Sequence, residues 1–388
     1  MVGALTALTH KAAIQIPDGY LTLPEFLRAE GFTTLAVTSN AVLASRLGWS
    51  DGFDEYVEVW QAEGYSDDPV AYRKVTHAGR VNDLALSLLE KHADSPRLFA
   101  WLHYSDPHAP YLLSGDHSNP FLGDRLYIDA GEALVDRKAK HGELIAGERE
   151  LRYYVAQYDA NIRLVDTAIR SLMEELEALD LLSDSLVIFT ADHGESLGEH
   201  RLYFEHGPRP YNASSHVPLF VVSPGRVAGG RVVAHPVELV DLYPTIRDLV
   251  APGREVPGLE GRSLLPFLEE EGSAVDRQAF QFAFAEAGGQ WPLRHFRSVQ
   301  DQRWKLIYHP KVERGPRPRP ERWELYDLET DPGETQNLFA EDDLESRRLQ
   351  RVLSDWMNGN AWLRRSLETV EERSAETLRA LRALGYVQ

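Results

Sequence analysis

The stretch that decides the fold is LVIFTADHGESLGEH, residues 186–200, in which a short apolar run ends in a cluster of polar residues. The run Leu186–Thr190 is typical of a buried strand, and Asp192 and His193 follow it directly. Consecutive side chains of an extended strand point to opposite faces, so a turn, which Gly194 permits, is needed for both to face one ion. A carboxylate beside an imidazole suits Ca, Mg, Mn or Zn. The alternative is an ordinary polar turn in which Asp192 caps a following helix.

Outward from this stretch, helical patterns and short apolar runs alternate along the chain. Helix and strand follow one another three times, and a further strand and helix come after them, at residues 21–32 and 33–40, 81–95 and 97–104, 154–179 and 186–190, and finally 216–225 and 237–250. This alternation predicts an α/β fold with a mostly parallel sheet between helices. Ligands of such sheets bind beyond the carboxyl ends of the strands, where the polar residues of this chain lie.

The pattern changes after about residue 266, where a linker-like stretch is followed by runs typical of antiparallel strands joined by turns. We therefore predict three parts. Residues 1–265 form the α/β domain, residues 266–342 a small antiparallel C-terminal subdomain, and residues 343–388 a charged helical tail.

Composition limits the class of protein to which this chain can belong. Its 60 acidic and 41 basic residues give a formal net charge of −19, which argues against a nucleic-acid partner. The chain has 0 cysteines, which excludes disulfides, thiolate metal sites and a cysteine nucleophile. No apolar run reaches the ~20 residues of a membrane helix, and the first residues lack the apolar core of a signal peptide. We expect a soluble chain, and oligomeric state and localisation stay open.

Two further stretches carry histidines where strands are predicted to end. HYSDPHAPY, residues 103–111, contains His103 and His108 in a loop stiffened by two prolines. GEHRLYFEHGPRPY, residues 198–211, contains His206. Each loop can be read as a solvated surface loop, or as a wall of hydrogen-bond donors around an anionic group. Two histidine-bearing strand exits in one sheet favour the second interpretation.

In their order along the chain, five stretches resemble the sulfatase family of the alkaline-phosphatase superfamily: FAWLHYSDPHAPY (99–111), LVIFTADHGESLGEH (186–200), HVPLFVVSPG (216–225), VELVDLYPTIRDLV (237–250) and RWKLIY with ELYDLETDPGETQNL (303–308 and 324–338). The resemblance spans nearly the whole chain. It implies an alkaline-phosphatase-like α/β domain followed by a small antiparallel subdomain. It also implies hydrolysis of sulfate esters, with phosphodiester and phosphonate ester hydrolysis as the alternative.

The resemblance implies roles for single residues. Asp192 and His193 would be metal ligands, with Ca as the first expectation and Mn, Mg or Zn as alternatives. His108 and His206 would act in catalysis, and together with His103 they would bind the substrate, a small-molecule or carbohydrate sulfate ester. A protonated His108 suits the donation of a proton to the leaving alcohol.

The chain departs from the family pattern at its beginning. In the family the first strand carries two further metal-binding acids, and a Cys, Ser or Thr nucleophile follows it. Residues 3–32 resemble the stretch that normally follows this nucleophile. We therefore expect the first strand, half of the metal ligands and the nucleophile to be missing through truncation of the N-terminus. A catalytically inactive sulfatase-like protein is the alternative to an enzyme.

Overall fold

The computed structural model of this protein describes residues 21–63, 75–109, 111, 119–121, 151–206, 209–269, 277–285, 294–311 and 319–359. These residues belong to two compact units, which divide between Ser185 and Leu186. The expectations about residues 1–20, and about the tail beyond residue 359, lie outside the described residues. The three-part division of the chain stays a prediction.

Within the described part of the first unit, three parallel strands form a sheet in the order β2–β1–β3. They are β1 (Thr33–Thr38), β2 (Glu55–Glu58) and β3 (Leu98–His103). The register pairs Thr38 with His103, so β1 and β3 end side by side. The predicted strands at 33–40 and 97–104 are confirmed, and their polar ends meet at the carboxyl edge of the sheet.

The described residues of this unit also contain the helices α1 (Leu23–Ala29), α2 (Val59–Glu63), α3 (Ala78–Lys91) and α4 (Leu151–Ala178). Helix α1 begins with a capping box, in which the backbone N–H of Thr22 donates to the Glu25 carboxylate at 2.8 Å. It is followed by Gly31, whose φ of +83° turns the chain into β1. The apolar face of α3 packs on β1 in one buried cluster, whose members are Leu35, Val37, Val59, Val81, Ala85, Leu88 and Leu89.

The second unit begins with β4 (Val187–Thr190), which pairs with β7 (Leu219–Val222). This pair is antiparallel, so β7 departs from the mostly parallel pattern that the sequence predicts. Thr190 pairs with Leu219, and the chain therefore leaves β4 and enters β7 at the same end of the pair. An antiparallel return of this kind requires no crossover helix. The intervening residues include β5 (Ser196–Leu197), β6 (Tyr203–Glu205) and the short helix α5 (Asn212–Ser215).

The C-terminal strands form an antiparallel sheet in the order β11–β10–β9–β8, which confirms the prediction for this region. Helices α6 and α7 precede the sheet and α8 follows it. Apolar residues of β9, β10 and β11 meet α8 in one buried cluster of Val299, Leu306, Leu325, Leu349 and Leu353. The bounds of these elements are α6 (Leu242–Val250), α7 (Leu265–Glu269), β8 (Ala279–Ala285), β9 (Arg294–Gln300), β10 (Trp304–His309), β11 (Arg322–Asp327) and α8 (Leu344–Gly359).

Among the described helices, none combines the length and the apolar character needed to cross a bilayer.

Candidate active site

The loop that follows β4 brings the side chains of Asp192 and His193 close together. The backbone N–H of His193 donates to Asp192 Oδ1 at 2.9 Å, and this bond folds the carboxylate back over the turn. His193 Nδ1 lies 2.8 Å from the carbonyl oxygen of Gly194. A carbonyl can only accept, so Nδ1 carries the proton and the neutral ring has its lone pair on Nε2. Nε2 lies 3.6 Å from Asp192 Oδ2.

The surroundings of His193 favour its neutral form. Burial lowers the pKa of His193, and the neighbouring His206 lowers it further, against the opposing influence of Asp192. A neutral imidazole with a free lone pair is the form that binds a metal ion. The Asp192 side chain is 69% exposed, so solvent reaches its carboxylate.

The hairpin β5–β6 brings Glu195 and His206 together, although 11 residues separate them. Ser196 pairs with Glu205, so the residue before β5 lies beside the residue after β6. His206 Nδ1 lies 3.3 Å from Glu195 Oε1, and the Glu195 side chain is only 4% exposed. The carboxylate accepts from Nδ1 and fixes the orientation of the ring, so Nε2 is the atom through which His206 would act.

The rings of His193 and His206 stack on each other, with their centroids 4.0 Å apart and their planes inclined by 13°. The stack joins the exit of β4 to the exit of β6. Three of the five predicted site residues, Asp192, His193 and His206, therefore form one cluster within the second unit. The sequence pattern predicts these three residues in the site but does not indicate Glu195, which stands two positions after His193 in the same stretch.

Helix α5 contacts the loop of this cluster at Gly194 through backbone atoms. The backbone N–H of Gly194 donates to the carbonyl oxygen of Ser214 at 2.8 Å. A Cβ on residue 194 would lie 2.4 Å from the carbonyl oxygen of Ala213, so only glycine fits this approach. The role of α5 was not predicted, because nothing in the local sequence links residue 194 to residues 213 and 214.

The first unit carries the other two predicted residues, His103 and His108, at the exit of β3. Ser39, which follows β1, donates from Oγ to the carbonyl oxygen of His103 at 2.9 Å and so fixes the end of the strand. The loop then turns, and the backbone N–H of His108 donates to the carbonyl oxygen of Ser105 at 2.8 Å. His108 Nδ1 lies 2.7 Å from the carbonyl oxygen of Ala109, which fixes the tautomer of the ring.

The fit of a divalent cation can be tested on the Asp192–His193 pair. A carboxylate oxygen and a ring nitrogen 3.6 Å apart are at a separation that two ligands of one cation adopt, and both belong to residue types that bind such ions. In the part of the chain that the structure describes, no group of three or more His, Asp or Glu side chains surrounds one metal position. The pair therefore fits one side of a metal site, and an ordinary polar turn is the alternative interpretation.

Comparison with known proteins links these features to a family. A family model described as sulfatase matches residues 3–251. A second model, described as the C-terminal part of N-sulphoglucosamine sulphohydrolase, matches residues 198–359. The chain is 31% identical to arylsulfatase K of Gallus gallus over 316 residues, which is 72% of this chain and 55% of that protein. The chain thus spans about half the length of this relative.

Solved structures of similar fold agree with these matches. A putative sulfatase from Bacteroides thetaiotaomicron VPI-5482 superposes with a TM-score of 0.67 at 19% identity, over 96% of this chain and 82% of that chain. A phosphonate monoester hydrolase from Silicibacter pomeroyi superposes with a TM-score of 0.66 at 21% identity, over 92% of this chain and 83% of that chain. The predicted alkaline-phosphatase-like α/β fold, with its small antiparallel C-terminal sheet, is confirmed.

Proposed function

This chain belongs to the sulfatase family of the alkaline-phosphatase superfamily, and from that membership we propose that it acts as a metal-dependent hydrolase of sulfate esters. The observation that carries this proposal is the cluster at the exit of β4. There a neutral His193 and the exposed carboxylate of Asp192 lie directly beside His206, whose ring is oriented by Glu195.

Asp192 and His193 are the proposed ligands of the cation, through a carboxylate oxygen and Nε2. When bound, a divalent cation supplies positive charge that activates a nucleophile and offsets the negative charge of the ester. Ca is the first candidate, with Mn, Mg and Zn as alternatives. Oxygen-rich ligation suits Ca, Mg and Mn, and the chain has 0 cysteines to favour Zn through thiolates.

The histidines have separate roles in this proposal. In its doubly protonated form, His206 donates from Nδ1 to Glu195 and from Nε2 to an equatorial oxygen of the sulfate group. His108 acts as general acid through Nε2 and protonates the leaving alcohol, because the carbonyl of Ala109 engages Nδ1. His103, at the end of β3, belongs to the substrate-binding wall. The substrate class is a sulfate ester of a small molecule or a carbohydrate.

The test is hydrolysis of an aryl sulfate by the 388-residue chain and by the complete open reading frame of its gene, each with added Ca or Mn. We expect Asp192→Ala to reduce kcat/KM at least 100-fold, because the variant loses a proposed metal ligand. Asp166→Ala is the matched control, since Asp166 in α4 is 70% exposed against 69% for Asp192 and also carries one negative charge. The control should retain the wild-type rate.

Two outcomes would contradict the proposal. A higher kcat/KM for an aryl phosphodiester or phosphonate ester than for the aryl sulfate would show that sulfate esters are not the preferred substrates. Equal rates for wild type and Asp192→Ala would contradict the role of Asp192 as a metal ligand. No hydrolysis of any of these esters by either protein would favour a sulfatase-like protein that binds without catalysis.

A further inference from the structure

A buried ion pair lies in the C-terminal sheet, far in sequence from the site. Lys305 in β10 is 0% exposed, and its Nζ lies 2.7 Å from Oε1 of Glu334, which is 2% exposed. Glu334 follows β11 with a φ of +55°, a conformation that is uncommon for a residue other than glycine. The free energy needed to desolvate two charges can exceed the attraction between them. Stabilisation of the sheet alone therefore does not explain the pair.

Both members of the pair hold one residue, Asn212, the first residue of α5. Lys305 Nζ donates to Asn212 Oδ1 at 2.7 Å. The backbone N–H of Asn212 donates to Glu334 Oε2 at 2.7 Å. We call these three residues the Asn212 clamp. It fixes the side chain and the backbone of Asn212 at the same time, through a cation and an anion 93 and 122 residues away in sequence.

The clamp is connected to the candidate active site through one turn of helix. The carbonyl oxygen of Ser214, two residues after Asn212, accepts from the backbone N–H of Gly194 at 2.8 Å. The preceding carbonyl, that of Ala213, lies so close to Gly194 that it leaves no room for a Cβ. Gly194 directly follows His193. A displacement of α5 would therefore move the backbone that carries the proposed metal ligands.

The alternative role is purely structural, in which the pair only stabilises the sheet. Two apolar side chains of similar volume would serve the sheet equally well. They would offer neither an oxygen for the N–H of Asn212 nor a donor for its amide oxygen. What the ion pair provides beyond packing is therefore the fixed position of α5.

We propose that Lys305 and Glu334 are positioning residues of the active site, which act through Asn212 and α5 to hold the Gly194 backbone and thereby Asp192 and His193. The catalytic consequence rests on the proposed function, whereas the geometric consequence does not. The first measurement is therefore made on the backbone, without substrate and without metal.

That measurement is hydrogen exchange of the Gly194 amide in the full chain. The double variant Lys305→Met with Glu334→Met replaces both charges and retains the volume of the pair. We expect Gly194 to exchange at least tenfold faster in this variant, while the amides of α6 keep the wild-type rate. The control is Arg303→Gln, which breaks the partly exposed ion pair of Arg303 with Asp327 in the same hairpin and should leave Gly194 unchanged.

A second pair of variants changes Asn212 and leaves the ion pair in place. Asn212→Ala removes the oxygen that accepts from Lys305, and we expect faster exchange at Gly194. Asn212→Asp retains an oxygen at that position and should restore the slow exchange. Wild-type exchange at Gly194 in both the double variant and Asn212→Ala would overturn the proposal. So would uniformly faster exchange that includes α6, because a purely structural role predicts that result.

Steady-state kinetics of the double variant test whether the clamp also affects catalysis. If the protein hydrolyses an aryl sulfate, the double variant should lower kcat at least tenfold, with less than a threefold change in KM for the ester. An unchanged kcat alongside faster Gly194 exchange would contradict the catalytic part of the proposal. If the wild-type protein hydrolyses no ester, the proposed function fails, and the exchange experiment still decides whether the clamp positions the backbone.

Discussion

Gly194 is the residue at which the proposed metal-ligand loop meets α5. A side chain there would collide with the carbonyl oxygen of Ala213, which is backbone and cannot swing aside as the end of a flexible side chain can. The position therefore demands glycine for space, and no positive φ is involved.

We expect Gly194→Ala to destabilise the fold by about 1–3 kcal/mol, because the backbone of α5 or of the loop has to shift, as in overpacked cores. Denaturant unfolding measures this change. Gly229→Ala is the matched control, since a Cβ at Gly229 meets nothing within 4 Å. An equal change in unfolding free energy for the two variants would show that Gly194 is not sterically restricted.

At the same scale, the sequence predicts some site residues and not others. Asp192 and His193 are predictable because they directly follow an apolar run of strand length. Glu195, the partner of His206, could not be predicted without knowledge of the β5–β6 pairing. This pairing places Glu195 beside His206 across a hairpin. Lys305 could not be predicted as a residue connected to the site, because its contact with Asn212 spans 93 residues and leaves no local pattern.

Among the elements, α6 begins at a cluster of buried charges. Asp241 precedes the helix and is 0% exposed; it pairs with Arg277 and accepts at 2.7 Å from the backbone N–H of Glu238. Glu238 itself accepts at 3.0 Å from the backbone N–H of Phe280, the second residue of β8. Burial and the nearby Asp241 raise the pKa of Glu238 to about 7.

The raised pKa of Glu238 predicts a pH dependence of stability. Because the unfolded chain has the ordinary carboxyl value, the folded state binds more protons between about pH 4.5 and pH 7. The contribution of Glu238 to the free energy of unfolding is therefore most favourable below this window and falls as the pH rises through it. Glu238→Gln removes the charge and retains an oxygen for Phe280. We expect the free energy of unfolding of this variant to match that of wild type at pH 4.5 and to exceed it by about 3 kcal/mol at pH 8.

Denaturant unfolding at the two pH values measures this difference, and Glu255→Gln, at an exposed position, serves as the control. If Glu238→Gln were no more stable than wild type at pH 8, the charged carboxylate would be well solvated or well paired at the start of α6. A difference of the same size for Glu255→Gln would assign the effect to the net charge of the chain.

The helices and strands themselves were largely predictable. Apolar spacing places α1, α3 and α4, and Gly31 marks the end of the first helical pattern. The direction of β7 was not predictable, because an apolar run of strand length has the same appearance whether it pairs parallel or antiparallel. Its direction follows from the return of the chain to the end of β4, which involves the whole stretch between the two strands.

For the whole molecule, the dominant long-range feature is the formal net charge of −19. An anionic sulfate ester is repelled by this charge at distances where the local donors of the site do not act. Salt shortens the range of the repulsion, since the Debye length falls from about 30 Å at 0.01 M to about 8 Å at 0.15 M.

We therefore expect KM for an aryl sulfate to fall about twofold when the ionic strength rises from 0.01 M to 0.15 M, with little change in kcat. Initial rates over a range of substrate concentrations at the two salt concentrations measure this change. A rise in KM with salt would mean that attraction by local positive charge exceeds the repulsion by the whole chain.

The buried pair of Lys305 and Glu334 also limits how this protein can evolve. Loss of one partner leaves an uncompensated charge in the core, at a cost of about 3–5 kcal/mol, which is a large part of the stability of a typical domain. A lineage can therefore leave this arrangement only when both positions change together. Such a lineage would also need a new means of holding residue 212. Across descendants of this gene, positions 212, 305 and 334 are expected to vary as a set, while the exposed Arg303 drifts independently.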